Sequence, residues 1–269
     1  MLYDLPPEIE VTADGPVRVV TLNRPDELNA ANASMHEALV KVWALMAADP
    51  DAAAVVLTGA GRAFSAGGDF AFMRAQHTDV NYRSEIFEQT RALLRAMIRF
   101  PLPVVAAVNG PAVGLGASLV VGCDIVLMSQ KAFLADPHVA VGLVAGDGGA
   151  ALWPMLTSLM RAKEYIFTGD RIPAAVAVEL GLANRVVAPD ALMDEAMALA
   201  HRLAALPRQA LQDTKRALNA HIAHAVSGII DFAVAAEFIS MGTEEHQARV
   251  SPRPADGPGP GGEAATSGR

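Results

Sequence analysis

The chain has 269 residues, of which 52% are hydrophobic and 19% charged, and a formal net charge of −8. That length buries a substantial core as one large domain or a domain with an appendage, and the composition excludes a disordered chain for most of its length. The acidic balance, with no run of Lys or Arg, argues against nucleic acid as a partner.

A single cysteine, Cys123, can form neither an internal disulfide nor a cysteine metal cluster, which fits a reducing compartment. The opening MLYDLPPEIEV has neither the basic start nor the apolar core of a signal peptide, so a cytoplasmic location is expected. No charge falls between Phe100 and Cys123, a length that could cross a bilayer. Pro101, Pro103 and Pro111, with Asn109 and Gly110, break that stretch into a strand, a turn and a small-residue helix, so no membrane association is expected.

In chain order, EIEVTADGPVRVVTL reads as two short strands joined at Asp14-Gly15. A helix capped by Asn32 or Ser34 follows to about Ala48, with Leu39, Val42, Trp43 and Met46 at helical spacing. Next come the strand AVVLT, the turn FSAGGDF (Phe64–Phe70), a loop, and a helix from about Tyr82 to Phe100. The strand PVVAAV, a small helix from about Gly114 to Val121 and the strand DIVLM complete an alternation typical of parallel crossover units. After Gly148 helical stretches dominate, with one short strand at Arg185–Ala188. A core over residues 1–200 and a helical region over 201–250 are expected, and the Pro/Gly-rich stretch 251–269 reads as a disordered tail.

Four stretches carry a resemblance: LNRPDELNA (Leu22–Ala30), FSAGGDF, VNGPAVGLGASLVVGCDI (Val108–Ile125) and TGDRIPAAVAVELGLANRVV (Thr168–Val187). In this order they resemble the signature regions of the enoyl-CoA hydratase/isomerase (crotonase) superfamily. The resemblance implies an α/β fold, a ClpP-like spiral of ββα units with a helical C-terminal trimerisation region, assembled as a homotrimer or dimer of trimers. It also implies an enzyme that binds an acyl-CoA thioester and stabilises its enolate with two backbone N–H donors. By position these donors are Gly68 and Leu115. A Gly-rich turn suits the task, because an amide approaches a thioester oxygen closely only where no side chain intervenes.

The same resemblance places substrate or CoA contacts at Arg24, Glu27, Leu28 and Ala30, at Ala66, Gly67, Asp69 and Phe70, and at Gly114, Pro137 and Gly142. For Arg24 and Glu27 the competing reading is a pair of solvated loop charges. Family hydratases carry two catalytic glutamates, and the corresponding positions here are Ser118 and His138. A serine hydroxyl orients water but is a poor base, whereas an imidazole of pKa about 6.5 both accepts and donates a proton. The alternative for His138 is a buried ring satisfied by a backbone carbonyl or by nearby Asp136. Asp147 is either a third acid/base group or a helix N-cap, since Gly146 occupies the slot in which related isomerases place an aspartate.

Hydration of a 2-enoyl-CoA is the leading expectation. The alternatives are double-bond isomerisation, thioester hydrolysis or decarboxylation, and acyl-CoA binding without catalysis. No metal site and no cofactor beyond the CoA thioester substrate is expected, since no Gly-x-Gly-x-x-Gly follows a strand and no His or Cys cluster has ligand spacing. The C-terminal region lacks a basic cluster, which implies weaker CoA affinity than in a complete member, with Phe232 and Phe238 placed to line a neighbour's pocket.

Overall fold

The computed structural model describes residues 2–251. It opens on a hairpin in which β1 (Ile9–Asp14) pairs antiparallel with β2 (Val17–Leu22), setting Asp14 against Val17. Helix α1 (Ala33–Ala48) begins at Asn32, whose side chain accepts the Met35 N–H, and buries Leu39, Val42, Trp43 and Met46 on one face. Strand β3 (Ala54–Gly59) is buried along its whole length.

After the FSAGGDF turn the chain departs from the expected loop. Helix α2 (Phe70–Thr78) forms there, and α3 (Val80–Arg99) follows at once. Both are started by aspartates: Asp69 accepts the Ala71 and Phe72 N–H groups, and Asp79 those of Asn81 and Tyr82. The caps satisfy amide donors that a polar stretch of weak periodicity would leave to water.

Strand β4 (Val104–Val108), the two-residue β5 (Ala112–Val113), helix α4 (Leu115–Val121) and strand β6 (Ile125–Ser129) divide the uncharged stretch, as its prolines and glycines foretell. Then come β7 (Phe133–Ala135), α5 (Gly149–Leu156), α6 (Leu159–Thr168), β8 (Ile172–Pro173), α7 (Ala174–Leu180) and β9 (Arg185–Val187). The chain continues through α8 (Leu192–Ala204), α9 (Arg208–Ser240) and α10 (Glu244–Val250). The tail expected over 251–269 lies, apart from Ser251, outside the described residues.

Six strands form the main sheet in the order β1-β2-β3-β4-β6-β9, parallel from β2 onward. Alternate residues of β3 serve two cores, as a doubly covered parallel sheet requires. Val55 and Leu57 join α1, α4 and the helices beyond. Ala54 and Val56 pack with Leu192, Ala196 and Leu199 of α8. Helix α8 therefore belongs to the sheet and runs to Ala204, just past the expected boundary at 200.

A second sheet, β5-β7-β8, was not expected from the sequence. Its strands are two or three residues long, too short for an alternation to register. Helix α9 is long and apolar enough to cross a membrane by length and composition. In this fold it lies along α3 and α5, with Val226, Ile230, Ala233 and Val234 buried. That path places Phe238 against Phe87 of its own chain, ring centroids 5.7 Å apart, whereas Phe232 stays exposed.

Candidate active site

Two chain segments are knitted side by side to shape the glycine turn. Leu28 and Asn29 adopt left-handed backbone angles, φ +53° and +56°. The buried Asn29 amide donates to the Ala60 and Ala63 carbonyls at 2.8 and 2.9 Å and accepts the Arg24 N–H at 2.8 Å. Ser65 Oγ donates to the Asn29 carbonyl, Ala66 N–H to Leu28, and Ala31 N–H to Gly67. Gly67, at φ +91°, lies so near β5 that a Cβ on it would sit 2.8 Å from the Val113 carbonyl oxygen. Glycine is required there on both counts.

This packing sets the Gly68 amide beside the start of α4. The Gly68 and Leu115 N–H groups donate to no other group among the described residues, and Leu115 is the first residue of its helix, with no intrahelical acceptor.

A cleft of about 630 Å³ opens at this point. Ala66, Gly67, Gly68, Gly114, Pro137 and His138 line it together with Glu27, Ala30, Asp69 and Phe70. Met73, Arg74 and Val141 also line it. These three went unread, Met73 and Arg74 because α2 itself did. Three expected contacts stand elsewhere: Arg24 bonds the Ala30 carbonyl and approaches Asp69 at 3.4 Å, Leu28 holds the glycine turn, and Gly142 packs under His246. Asp69 itself caps α2, so its carboxylate has two structural tasks.

His138 lies between two carboxylates. Its Nδ1 meets Asp136 Oδ1 at 2.5 Å and its Nε2 meets Asp147 Oδ2 at 3.3 Å. Ser118 Oγ donates to the other Asp147 oxygen at 2.8 Å. Asp147 is no helix cap: the N-cap of α5 is Gly148, and no side chain caps the helix. The three sequence-derived positions, Ser118, His138 and Asp147, thus form one chain of contacts, all buried. The edge of the ring faces Gly114, the residue before Leu115, with Cε1 and Nε2 at 3.5 and 3.8 Å from where a Cβ on Gly114 would lie.

Burial alone would push the His138 imidazolium down. The charges of Asp147 and Asp136 outweigh it and hold the ring well above its ordinary value. Burial would raise Asp147, but the His138 charge and the bonds from His138 and Ser118 keep it below the usual carboxylate range. The pair's stabilisation is present above the ordinary Asp value, about 4, and is lost as pH rises through the elevated His138 value, above about 6.5. At neutral pH the ring is an imidazolium, able to give a proton and take it back.

Two buried groups near the cluster lay outside the sequence motifs. His36 of α1 bonds Gln89 at 2.9 Å, and its burial lowers its pKa against the pull of the Asp147 charge. Glu237 of α9 is 5% exposed and approaches Gly146.

The family model described as enoyl-CoA hydratase/isomerase matches residues 12–246. The chain belongs to the enoyl-CoA hydratase/isomerase family. A crystal structure of an enoyl-CoA hydratase/isomerase from Mycobacterium paratuberculosis superposes with a TM-score of 0.90 and 51% identity, covering 92% of this chain and 99% of that one. The short-chain-enoyl-CoA hydratase of Clostridium acetobutylicum is 35% identical over 77% of this chain and 78% of its own. The 1,2-epoxyphenylacetyl-CoA isomerase of Escherichia coli is also 35% identical, over 76% and 78%. The expected crotonase fold and enzyme class are therefore those of the chain. Equal similarity to a hydratase and an isomerase leaves the choice of reaction, for this enoyl-CoA hydratase/isomerase family member, to the side chains of its site.

Proposed function

We propose that the protein is an acyl-CoA enzyme that holds a thioester enolate between the Gly68 and Leu115 amides, with His138 as proton carrier, and that it hydrates a 2-enoyl-CoA. The observation that carries this reading is the imidazole clamped between Asp136 and Asp147, its edge turned toward Gly114. Charge that develops on the thioester oxygen meets two unengaged N–H donors. His138 delivers a proton to Cα as the oxygen of water bonds to Cβ, and the imidazole–Asp147 pair recovers the proton that water releases. No cofactor beyond the CoA substrate enters these steps.

A second reading is hydrolysis, favoured by the same His138–Asp147 contact, in which Asp147 takes the proton of a water attacking the bound carbonyl and His138 gives one to the leaving CoA thiolate. Product analysis with 2-enoyl, 3-enoyl and malonyl-type CoA thioesters decides. A 3-hydroxyacyl-CoA product is expected. Release of free CoA thiol instead would replace hydration by hydrolysis, and binding without turnover would leave a non-catalytic acyl-CoA binder.

The assembly we propose is a homotrimer or dimer of trimers, in the cytoplasm. Support comes from exposed apolar side chains on α9, Leu218, Phe232 and Ile239, and on α6, Met160 and Phe167. Light scattering is expected to give the mass of three or six chains, and a monomer would overturn the proposal.

A further inference from the structure

Glu237 continues the buried stripe of α9 made by Val226, Ile230, Ala233 and Val234. A carboxylate on such a face costs free energy unless it is neutral or paired. The helix seats Glu237 over the turn that carries Asp147. There the Val144 N–H donates to Ser240 Oγ at 3.1 Å. A Cβ on Gly146 would fall 2.5 Å from the Ala233 carbonyl oxygen and 2.6 Å from Glu237 Oε2. The Glu237 carboxyl thus fills the space into which a side chain at 146 would project, and glycine at 146 admits it.

We propose that Glu237 is a positioning residue of the reaction, a carboxyl group brought by the C-terminal helix to the place of the missing side chain at 146, where it sets the proton occupancy of the Asp136–His138–Asp147 cluster. This rests on the proton-carrying role of His138 proposed above. Burial first, then the Asp147 charge, push the Glu237 carboxyl up to about 8, with His138 opposing and Asp136 adding. At neutral pH it is therefore an uncharged acid on the turn that carries Asp147. Its ionisation at higher pH adds an anion, which tightens the hold of the cluster on the His138 proton and opposes its delivery to Cα.

Other charged groups on the packed elements leave this coupling intact. On α3, Arg83 lies over the Phe238 ring and Arg91 and Arg95 pair with Asp231. His36 of α1 acts on Asp147, and His246 of α10 donates through Nδ1 to the Val141 carbonyl oxygen at 2.8 Å; burial lowers the pKa of both rings. Among the described residues none of these forms an ion pair with Glu237.

The test is an imidazole nitrogen NMR titration of His138 in the full chain, wild type against Glu237→Gln, from about pH 5 to 10, with turnover measured alongside. The wild-type His138 resonances are expected to inflect near the Glu237 ionisation, and turnover to fall about tenfold within one pH unit above it. In Glu237→Gln both the inflection and the fall disappear. Identical His138 titrations in the two proteins overturn the proposal, whether or not a thioester is turned over. An inflection lost in Glu237→Gln while neither protein turns over any thioester upholds the coupling and removes the proton-carrying role of His138 instead.

Discussion

Replacing His138 with alanine is expected to lower turnover of the preferred thioester by about 10²–10⁴-fold, the range that a positioned acid/base group contributes. Binding should change little, because the Gly68 and Leu115 donors and the other residues that line the cleft remain in place. The variant also leaves Asp136 and Asp147 buried without the cation between them. Those buried groups then lack their counter-charge, so the variant should also lose folding stability, increasingly as pH rises through the carboxylate range. Steady-state kinetics with a binding titration separate the two effects. A mutant that keeps wild-type turnover would remove His138 from the chemistry.

The second large effect is expected at Gly67, whose backbone shapes the turn that carries the Gly68 amide. Alanine there must adopt φ +91° and place its methyl carbon 2.8 Å from the Val113 carbonyl oxygen. An L-residue accepts neither without moving the turn, and the Gly68 amide moves with it. Loss of one well-aimed oxyanion donor costs about 10²–10³-fold in turnover. Gly15→Ala is the control: it also meets a positive φ, +55°, but its Cβ would have nothing within 4 Å, and the hairpin turn lies outside the cleft. It should lose some stability and keep its rate. Equal rate losses in the two variants would show that general destabilisation, not the donor, is being measured.

The sequence was most legible where one segment carried the whole signal. The stripe of Leu39, Val42, Trp43 and Met46 marks α1, and the apolar runs of β3 and β4 mark central strands, because burial on both faces leaves no polar alternation. FSAGGDF announced its backbone task through adjacent glycines. Helix α2 stayed hidden because its caps, not its periodicity, start it, and β5, β7 and β8 because their partners lie in other parts of the chain.

At the site, Ser118, His138 and Asp147 could be named singly, but not their contacts, since a one-residue offset in a glycine turn decides where a carboxylate points. The fold directs Asp147 to Ser118 and His138 rather than to the start of α5. Glu237 left a fainter trace. It falls at helical spacing after Ile230, Ala233 and Val234, a charge on an apolar stripe, which is a mark of a buried ionisable group. What it faces is set by the docking of α9 on the 144–147 turn, and local sequence holds no record of that docking.

Enolate stabilisation, common to hydration, isomerisation and decarboxylation, is tested most directly by solvent exchange at Cα of a saturated acyl-CoA held in heavy water with the wild-type enzyme. Mass spectrometry is expected to show deuterium entering at Cα, catalytically and without net reaction. A thioester that binds yet acquires no deuterium across the pH range would contradict an enolate held between Gly68 and Leu115.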